Sequence, residues 1–378
     1  MAKYNSTMIN VLSLVSYKTL PAQTGGQRSI ALFNKYLSRY VNLVCVTTRA
    51  NQVTGMEGYQ VLNVLSNSPL RYANPFYFFT LRRIITQHRI THLLIEHPYY
   101  GWLAVLVKWF CGVKLIVRSQ NIEGLRWKTL GKSWWKWLWY YEKWVHRQAH
   151  LNFFIQEDDL HYAIKHFGLQ PARCQLVTYG IEWNQPPSPW QKKKARQYLQ
   201  QQHQIPPGHQ ILLFNGTFGY LPNLNGLKLI LNNIVPLLNQ QGFPYTILIC
   251  GKDIPPALAT TAPTTVVIAG FVEDIATYFT GSDIFINPVM EGGGIKTKLV
   301  EALGYNLNAV STVNGAIGID TTICGGKLTV VPDQNIEAFV QAILTAATYR
   351  NDIPATYFGY FYWENITRRA ATSLQHIN

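Results

Sequence analysis

Asn287-Pro-Val-Met-Glu-Gly-Gly-Gly-Ile-Lys-Thr-Lys-Leu-Val-Glu-Ala-Leu-Gly304 is the stretch of sequence that decides the predicted fold. A strand-like run over residues 283–287 passes through three consecutive glycines into a segment with helical spacing, in which Ile295, Leu299 and Leu303 share one face. Glycine allows a close approach of the backbone to a ligand, and the free amides of a first helical turn favour negative charge. The stretch therefore predicts an anion-binding turn.

Three charged side chains accompany this turn. Lys296 and Lys298 fall in the first helical turn. The helix dipole disfavours cations there, which suggests that their charge serves a ligand. Glu301 follows about two turns after the glycines, where a carboxylate can accept hydrogen bonds from sugar hydroxyls. The alternative is a tight strand–helix turn whose lysines are only solvated.

Length and composition predict a soluble protein of two domains. The 378 residues exceed a typical single core. No uncharged apolar run reaches membrane-spanning length, and the N-terminal residues lack the apolar core and cleavage site of a signal peptide. The cysteines have neither CxxC nor paired spacing, so we expect no zinc site, no disulfide framework and a reducing cytosol. These cysteines are Cys45, Cys111, Cys174, Cys250 and Cys324.

The positive charge is concentrated in the first half of the chain. Of the formal net charge of +14, residues 1–185 contribute +13, with 21 basic against 8 acidic residues. Residues 186–378 are almost neutral, with 12 basic against 11 acidic residues. The first half is therefore expected to favour a polyanion or an anionic membrane surface.

Strand-like and helix-like segments alternate through the first half. Such alternation predicts a doubly wound parallel sheet, whose ligands bind beyond the carboxyl ends of the strands. The predicted strands cover residues 8–15, 41–48, 59–65, 91–98, 113–118, 151–155 and 175–178. Several polar or glycine residues fall at or just after strand ends, namely Gly25, Gly26, His97, Arg118, Gln120 and Asn121. A structural role for His97 at such a position stays open beside a functional one.

A tryptophan-rich segment over residues 133–151 predicts a helix with a basic stripe. The stripe contains Lys132, Lys136, Lys143 and Arg147, flanked by Trp135, Trp139 and Tyr140. The opposite face is apolar and is expected to pack on the domain, with Trp134, Trp137, Leu138, Tyr141 and Val145. Tryptophans beside lysines suit an anionic lipid headgroup layer. A core helix with solvated lysines is the alternative, and no nucleic-acid motif accompanies the segment.

A proline-rich break at residues 184–190 separates this half from a second alternating half. We predict a first domain over residues 1–185, a second over residues 186–355 and a final helical segment over residues 356–378. The second half has predicted strands at residues 210–217, 245–250, 265–268, 284–287, 308–311 and 328–331. Two similar halves predict two Rossmann-like domains facing each other across a cleft.

These residues together resemble the retaining glycosyltransferases of the GT-B fold, specifically glycosyltransferase family 4. The likeness spans nearly the whole chain and is strongest from residue 215 to residue 318. In chain order its landmarks are Gly25-Gly26, Glu96-His97-Pro98, Tyr179-Gly180-Ile181-Glu182, Asn215-Gly216-Thr217, Cys250-Gly251, Gly270-Phe271-Val272 and the stretch from Gly292 to Glu301. The resemblance also implies that the last helix crosses back onto the N-terminal domain.

The resemblance implies roles for several of these residues. A nucleotide-sugar donor would be held mainly by the second domain, with backbone groups of Phe271 and Val272 at the base and Glu301 at the ribose. The donor's diphosphate would lie against Gly293 and Gly294. Further donor contacts are implied for Gly25, Gly26, Asn215, Gly216, Thr217, Gly251, Lys296 and Lys298. His97, Lys298 and the position of Gly293 are the catalytic candidates.

The sequence departs from the family pattern in three places. The first acid of the Glu-x7-Glu motif falls on Gly293, while Glu291 lies two residues earlier. The family's arginine and lysine of the loop that opens the second domain are replaced by Thr217 and by Pro222-Asn223. Lys298 and Lys296 are expected to supply the missing charge from the other loop. His97 precedes Pro98, where familiar members have Glu-Pro, so it matches by chemistry rather than by alignment.

The expected function is transfer of a sugar, with retention of anomeric configuration, to a glycan, lipid-linked or other membrane-associated acceptor on the cytoplasmic side of a membrane. The nucleotide sugar is a co-substrate, and no other cofactor, metal or nucleic acid is expected. Metal independence is implied because lysines and helix amides would stabilise the leaving diphosphate. The membrane contact is expected through Lys132, Lys136, Lys143, Trp135 and Trp139. The alternatives are a nucleotide-sugar epimerase of the same fold and a non-catalytic GT-B binding protein.

Overall fold

The computed structural model of the chain describes residues 8–22 and 24–377. The expectation about a signal peptide falls partly on the first seven residues, which lie outside this range. The structure divides into one unit of Met1–Glu182 with Phe361–Asn378 and a second unit of Trp183–Tyr360. The division falls a few residues from the predicted limits at 185 and 355. Hydrogen bonds explain the first limit, because Glu182 bonds Lys35 in the first unit and Trp183 bonds Gly304 in the second.

The first unit is built on a parallel sheet of seven strands in the order β3-β2-β1-β4-β5-β6-β7. Its strands are β1 (Asn10–Val15), β2 (Asn42–Thr48), β3 (Gln60–Leu65), β4 (His92–Glu96), β5 (Lys114–Ser119), β6 (Leu151–Phe154) and β7 (Cys174–Leu176). The helices between them are α1 (Gly25–Leu37), α2 (Tyr77–Gln87), α3 (Gly101–Cys111), α4 (Glu123–Thr129), α5 (Trp135–Gln148) and α6 (Glu157–Tyr162). The central strands β1, β2, β4, β5 and β6 are mostly apolar and buried, as sheets covered by helices require, whereas the edge strands β3 and β7 are partly exposed.

The second unit repeats this plan with six parallel strands in the order β10-β9-β8-β11-β12-β13. Its strands are β8 (Gln210–Thr217), β9 (Tyr245–Lys252), β10 (Val266–Gly270), β11 (Ile284–Asn287), β12 (Asn308–Thr312) and β13 (Leu328–Val331). Its helices are α7 (Pro189–Gln202), α8 (Leu221–Leu229), α9 (Val235–Gln240), α10 (Pro256–Thr260), α11 (Ile275–Gly281), α12 (Thr297–Gly304) and α13 (Ile336–Ala346), and α14 (Ala355–Phe361) leads back to the first unit. The predicted helix before β9 is therefore two helices, joined by a π-helical turn over Ile230–Ile234.

The strand order of each sheet reverses direction at one point. In the first unit β1 lies between β2 and β4, and in the second β8 lies between β9 and β11. Helices on the two sides of such a point diverge, which leaves a crevice at the carboxyl ends of the strands. The groups that follow β1, β4, β8 and β11 are therefore the ones that the fold places at a ligand crevice.

The last helix, α15 (Trp363–Gln375), completes the first unit by packing on α1. Trp363 has no exposed surface and contacts Phe33 of α1 and Tyr179, with ring centroids 6.5 and 5.7 Å away. Its amide donates to the Ile181 carbonyl at 3.0 Å, and the Ile181 amide donates to Phe361 at 2.7 Å. The expected return of the chain to the N-terminal domain is confirmed.

Candidate functional site

The glycine-rich stretch forms a loop before its helix rather than the first helical turn itself. The Asn287 side-chain amide donates to Ser311 at 3.1 Å and to the Gly315 carbonyl at 2.8 Å, which fixes the start of the loop. Gly292 and Gly294 have φ of 89° and 82°, a left-handed conformation that glycine adopts without strain. Gly293 between them has ordinary φ and open space where a side chain would begin.

Lys298 joins this loop to the strand on the other side of the reversal point. Its Nζ donates to the Asn215 carbonyl at 2.7 Å and to the Asn223 side-chain oxygen at 3.3 Å. Burial lowers the pKa of Lys298 to about 8, although the charge of Glu301 on the next turn acts in the opposite direction. Glu301 is itself buried in α12. A cation with a lowered pKa is one that an anionic ligand would stabilise.

Lys296 lies at the residue that precedes α12. Its Nζ donates to the Gly292 carbonyl at 2.6 Å, so it closes the glycine loop on itself. Burial lowers its pKa to about 8 as well. Both ammonium groups therefore donate to neutral oxygen atoms, and both lie at the beginning of a helix, where the dipole adds to the positive potential.

Close backbone contact explains the glycines of the facing strands. A Cβ on Gly251 would lie 1.6 Å from the Gly216 carbonyl oxygen, and one on Gly216 would lie 2.8 Å from Lys298 Nζ. Gly251 has φ of 148°. The structure thus brings together Asn215, Gly216, Gly251 and Lys298 at one sheet edge. Thr217 is exposed at the end of β8, and its carbonyl accepts from Asn223 at 2.9 Å.

Phe271 and Val272 follow β10 at the same edge of the sheet. Phe271 is 63% exposed, and Lys252 Nζ at the end of β9 lies 4.4 Å from the centre of its ring. The sequence predicted backbone contacts of Phe271 and overlooked Lys252. Its position as the last residue of β9 was the available signal, because ligand groups collect at strand ends.

In the first unit, His97 is held by two side chains at the end of β4. It has φ of 67°, which is uncommon for a residue with a side chain and is a kind of strain that clusters at active sites. Its Nδ1 lies 3.1 Å from Glu123 Oε1, and its Nε2 lies 3.0 Å from the Tyr17 hydroxyl. Both ring nitrogens are therefore engaged, and the imidazole is almost fully buried.

Glu123, at the beginning of α4, is the functional candidate that the sequence did not identify. It also accepts from the Tyr99 hydroxyl at 2.6 Å and from Arg126 at 3.1 Å. Burial opposes its ionisation, but the hydrogen bonds and charges of these partners lower the pKa of Glu123 to about 2. An ionised carboxylate only accepts, so His97 Nδ1 carries a proton and, in the neutral ring, Nε2 accepts from Tyr17. Its place just after β5 was the signal that could have found it.

Four further strand-end residues of the first unit, Gly25, Gly26, Arg118 and Gln120, have structural roles. Arg118 is fully buried and donates to both oxygens of Glu96, at 3.1 and 3.0 Å. Gly25 and Gly26 begin α1, which Thr24 caps. Gln120 donates to the Gly26 carbonyl at 3.4 Å. A Cβ on Gly26 would lie 3.0 Å from the side-chain oxygen Oε1 of Gln120.

The predicted orientation of the tryptophan-rich helix α5 is confirmed at Val145, which is fully buried, and is wrong at its first tryptophans. Its buried positions include Glu142 and His146, whereas Trp134 and Trp137, predicted to pack inward, are exposed. Trp139 packs 5.3 Å from Phe167 and donates to the Tyr162 hydroxyl at 3.0 Å. Hydrogen-bonded polar groups therefore decide the inner face, and apolar rings remain outside.

Two of the residues expected at a membrane are therefore engaged within the protein. Trp139 is one, and Lys143 is the other, because its Nζ donates to the His166 carbonyl at 2.8 Å. Lys132 and Lys136 are exposed. Trp135 is half-buried, with Lys128 and Lys136 over its ring at 4.9 and 5.8 Å.

Across residues 8–22 and 24–377, no helix is both long and apolar enough to cross a membrane. In the same residues, no cluster of three or more histidine, cysteine, aspartate or glutamate side chains has the arrangement of a metal site. All five cysteines are unpaired.

The two parallel sheets, each with polar groups at its carboxyl edge, define the GT-B class of fold. Residues 24–184 match the family model described as Glycosyltransferase Family 4, and residues 209–348 match the one described as Glycosyl transferases group 1. The chain therefore belongs to the family 4, group 1 glycosyltransferases. No curated protein matches the chain.

Solved structures of the same fold cover nearly the whole chain. HepE from Anabaena, in complex with UDP-glucose, has a TM-score of 0.68 and 14% identity over 97% of this chain and 99% of its own. WaaG, a glycosyltransferase of lipopolysaccharide biosynthesis, has a TM-score of 0.62 and 16% identity over 96% of this chain and 95% of its own. A proposed UDP-N-acetylglucosamine 2-epimerase from Listeria monocytogenes has a TM-score of 0.59 and 12% identity over 98% of this chain and 96% of its own. At these identities the likeness concerns the fold alone.

Proposed function

We propose that the protein transfers a sugar from a nucleoside diphosphate sugar to a glycan or lipid-linked acceptor, with retention of anomeric configuration. One observation carries the proposal. Two lysines of lowered pKa, Lys296 and Lys298, lie at the beginning of α12 beside a loop of three glycines. Backbone amides and paired cations at a helix N-terminus are suited to a diphosphate. The UDP-glucose complex of HepE supports a donor of this chemical class.

Different residues of the second unit would bind different parts of the donor. Lys298 and Lys296 would stabilise the negative charge that develops on the departing diphosphate, without requiring a divalent ion. Glu301 would accept hydrogen bonds from the ribose hydroxyls. Phe271 would offer its backbone to the base, and its ring with Lys252 would cover one face of it.

The first unit would bind the acceptor. His97, with Nδ1 bound to Glu123, offers the lone pair of Nε2, which a sugar hydroxyl could occupy in place of Tyr17. Gly293 leaves room at the position where the family has an acid. We propose that this space admits part of the substrate and that Lys298 takes over the electrostatic role.

The basic first unit supports a membrane-associated acceptor on the cytoplasmic side. Lys132 and Lys136 are exposed near the N-terminal end of α5 and would face anionic lipid.

A screen of nucleotides and nucleotide sugars by thermal shift tests the donor part. A specific ligand at about a hundred times its Kd adds about 2.7 kcal/mol to the free energy of unfolding. Lys298→Ala is expected to weaken binding about 10- to 100-fold, because it removes a charged hydrogen-bond donor. Lys193→Ala on the exposed face of α7 is the matched control and should change nothing. The absence of any nucleotide-dependent shift in the unmodified protein would refute the proposal.

Product analysis separates the proposal from two other functions of this fold. Release of a free, altered sugar without an acceptor would instead establish an epimerase, the activity named for the Listeria structure. Nucleotide binding with neither transfer nor hydrolysis would establish a non-catalytic protein, as the replacement of the usual cations by Thr217 and Pro222-Asn223 allows. Transfer that inverts the anomeric centre would contradict retention.

A further inference from the structure

The exposed charge of the middle of the first unit is entirely positive. Between Glu57 and Glu157 the sequence has only three acidic residues, Glu96, Glu123 and Glu142. Their exposures are 1, 0 and 0%, and each is used in hydrogen bonds within the protein. Solvent therefore meets lysine and arginine without carboxylates over residues 58–156. A surface of this kind attracts anions at a distance of about a Debye length.

Large apolar side chains are exposed over the same part of the chain. Trp137 is 81% exposed and Phe110 is 73% exposed, values that are unusual for rings able to bury 150–250 Å2. They come from three helices, α2, α3 and α5, and from the segments beside them. The exposed apolar residues of this group are Leu70, Phe76, Phe79, Trp109, Phe110, Leu130, Trp134, Trp137 and Trp144.

The three helices lie side by side. Phe78 of α2 contacts Phe79 and Phe110, with ring centroids 5.5 and 5.7 Å away, which joins α2 to the end of α3. Lys108 at the end of α3 donates to the Gln148 carbonyl at the end of α5, at 2.7 Å. The apolar rings therefore belong to a row of neighbouring helices rather than to scattered positions.

Contacts at the other end of α3 orient α5. The Trp102 amide donates to the Tyr141 hydroxyl at 2.9 Å. Trp137 and Trp144 lie four residues before and three after Tyr141, on the same side of α5. This side of α5 is next to α3 and carries exposed apolar rings, whereas the inner face contains the buried carboxylate of Glu142.

Basic residues accompany the rings on both outer helices. On α2, Arg82 and Arg83 follow Phe79 by one turn and are exposed on the same side. On α5, Lys136 is adjacent to Trp137. Indole and phenyl rings that lie at the depth of lipid headgroups, with cations at the phosphates, are typical of proteins that bind a membrane surface.

We propose that Phe79, Arg82, Arg83, Trp109, Phe110 and Trp137, which we name the three-helix surface, insert into an anionic lipid bilayer. The proposal rests on the proposed function for its acceptor, and it relocates the contact from Trp135, Trp139 and Lys143 to the outer sides of α2, α3 and α5. The exposed aliphatic residues Leu70 and Leu130 favour lipid over a nucleic acid, because an aliphatic side chain offers no ring for base stacking.

Vesicle flotation with the full chain tests the three-helix surface. Vesicles of phosphatidylcholine are compared with vesicles that also contain phosphatidylglycerol. Arg82→Gln with Arg83→Gln should lower partitioning onto the anionic vesicles about tenfold or more, at about 1 kcal/mol per basic residue near the surface. Trp137→Gln with Phe110→Gln should lower it by about tenfold for each ring withdrawn from the lipid. The aromatic changes should remove the part of the binding that resists salt.

Matched changes in the second unit are the controls. Trp190 is 68% exposed on α7, with Lys194 over its ring, so Trp190→Gln and Lys193→Gln with Lys194→Gln repeat the chemistry away from the surface. Unchanged flotation of these controls, with reduced flotation of the surface variants, supports the proposal. Equal losses in both sets, no flotation of the unmodified protein, or saturable binding to RNA in preference to vesicles would overturn it.

Nucleotide binding distinguishes a failure of the surface from a failure of the proposed function. An unmodified protein that binds nucleotides but not vesicles leaves the transferase proposal intact and refutes the surface. A protein that binds anionic vesicles but no nucleotide would refute the transferase proposal and leave the three-helix surface intact. Thermal unfolding of each variant excludes misfolding, because exposed positions are expected to change stability by less than about 0.5 kcal/mol.

Discussion

Lys298 is the residue on whose charge the proposed donor site is expected to depend most directly. Its Nζ spans from α12 to the carbonyl of Asn215, and Asn215 Oδ1 is buried without a hydrogen-bond partner in the part of the chain that the structure describes. Glycine at 216 keeps this approach open, since a Cβ there would lie 2.8 Å from the lysine nitrogen. The lysine is therefore held at the reversal point of the sheet, where the fold places ligands.

Nucleotide affinity is expected to fall as the pH rises above about 8. Burial lowers the pKa of Lys298 to about 8 in the free protein, and a bound diphosphate raises it. Affinity is therefore full below the free pKa and decreases above it, by at most about tenfold per pH unit for each of Lys298 and Lys296. Calorimetry of nucleotide binding between about pH 7 and about pH 9.5 measures this. Lys298→Gln should bind weakly with a flatter profile, and an unmodified protein with constant affinity would contradict the assignment.

Glu123 is expected to position His97 rather than to touch a substrate. Glu123→Gln removes the carboxylate that holds the proton on Nδ1, so we expect transfer rates to fall about 10- to 100-fold, the value of a hydrogen bond to a charged group. Nucleotide binding should be unchanged, because the lysines belong to the other unit. In a double-mutant cycle with His97→Asn, the two losses should overlap strongly. Additive losses would show that the residues act separately.

At the scale of elements, the strands were predictable and the faces of the helices were not. Apolar runs bounded by turns located the strands of both sheets, because buried parallel strands carry little else. The prediction for α5 was right for Val145 and wrong for Trp134 and Trp137, because periodicity alone assigns apolar residues to the interior. Glu142 is buried there and accepts from the amides of Glu123 and Gly124, both at 2.9 Å. Such partners lie 18 and 19 residues away and are invisible to a helical pattern.

Substitution by alanine is expected to affect stability at Gly251 and nucleotide binding at Gly293. Gly251→Ala should destabilise the fold by more than about 2 kcal/mol, because its Cβ would overlap the Gly216 carbonyl between β8 and β9. Gly293→Ala should leave stability within about 0.5 kcal/mol, since nothing lies within 4 Å of its Cβ, yet it should weaken nucleotide binding. Urea unfolding and thermal shift measure the two effects. Unchanged nucleotide affinity in Gly293→Ala would remove the loop from the diphosphate site.

For the whole molecule, the family pattern in the sequence was sufficient to predict the fold class. The landmarks at strand ends and the break at residues 184–190 predicted two similar domains, and the structure has two sheets of corresponding strand order. The details that the pattern could not supply are contacts between distant segments. Glu123 with His97 and Lys252 with Phe271 are such contacts, each between the ends of neighbouring strands.

Trp363 is expected to be essential for the stability of the first unit and irrelevant to donor binding. Trp363→Ala would leave a cavity beside Phe33 and Tyr179 and should lower the free energy of unfolding by about 3–5 kcal/mol. The nucleotide-dependent stabilisation of the second unit should persist in this variant. Calorimetric unfolding with and without nucleotide tests both statements, with Trp190→Ala as the exposed control. Loss of nucleotide binding in Trp363→Ala alone would contradict the assignment of the donor site to the second unit.

The hydrogen bonds from the first turn of α4 to Glu142 connect α5 to the residues that hold His97. The outer side of α5 belongs to the three-helix surface, and its inner side holds the amide of Glu123, which in turn holds His97. Trp139 packs so closely on this turn that a Cβ on Gly124 would lie 2.6 Å from the tryptophan Cβ. If the three-helix surface binds a bilayer as proposed, we expect the imidazole to be affected through these two hydrogen bonds. Turnover of a water-soluble acceptor is expected to change when anionic vesicles are added, and Glu142→Ala should uncouple the two.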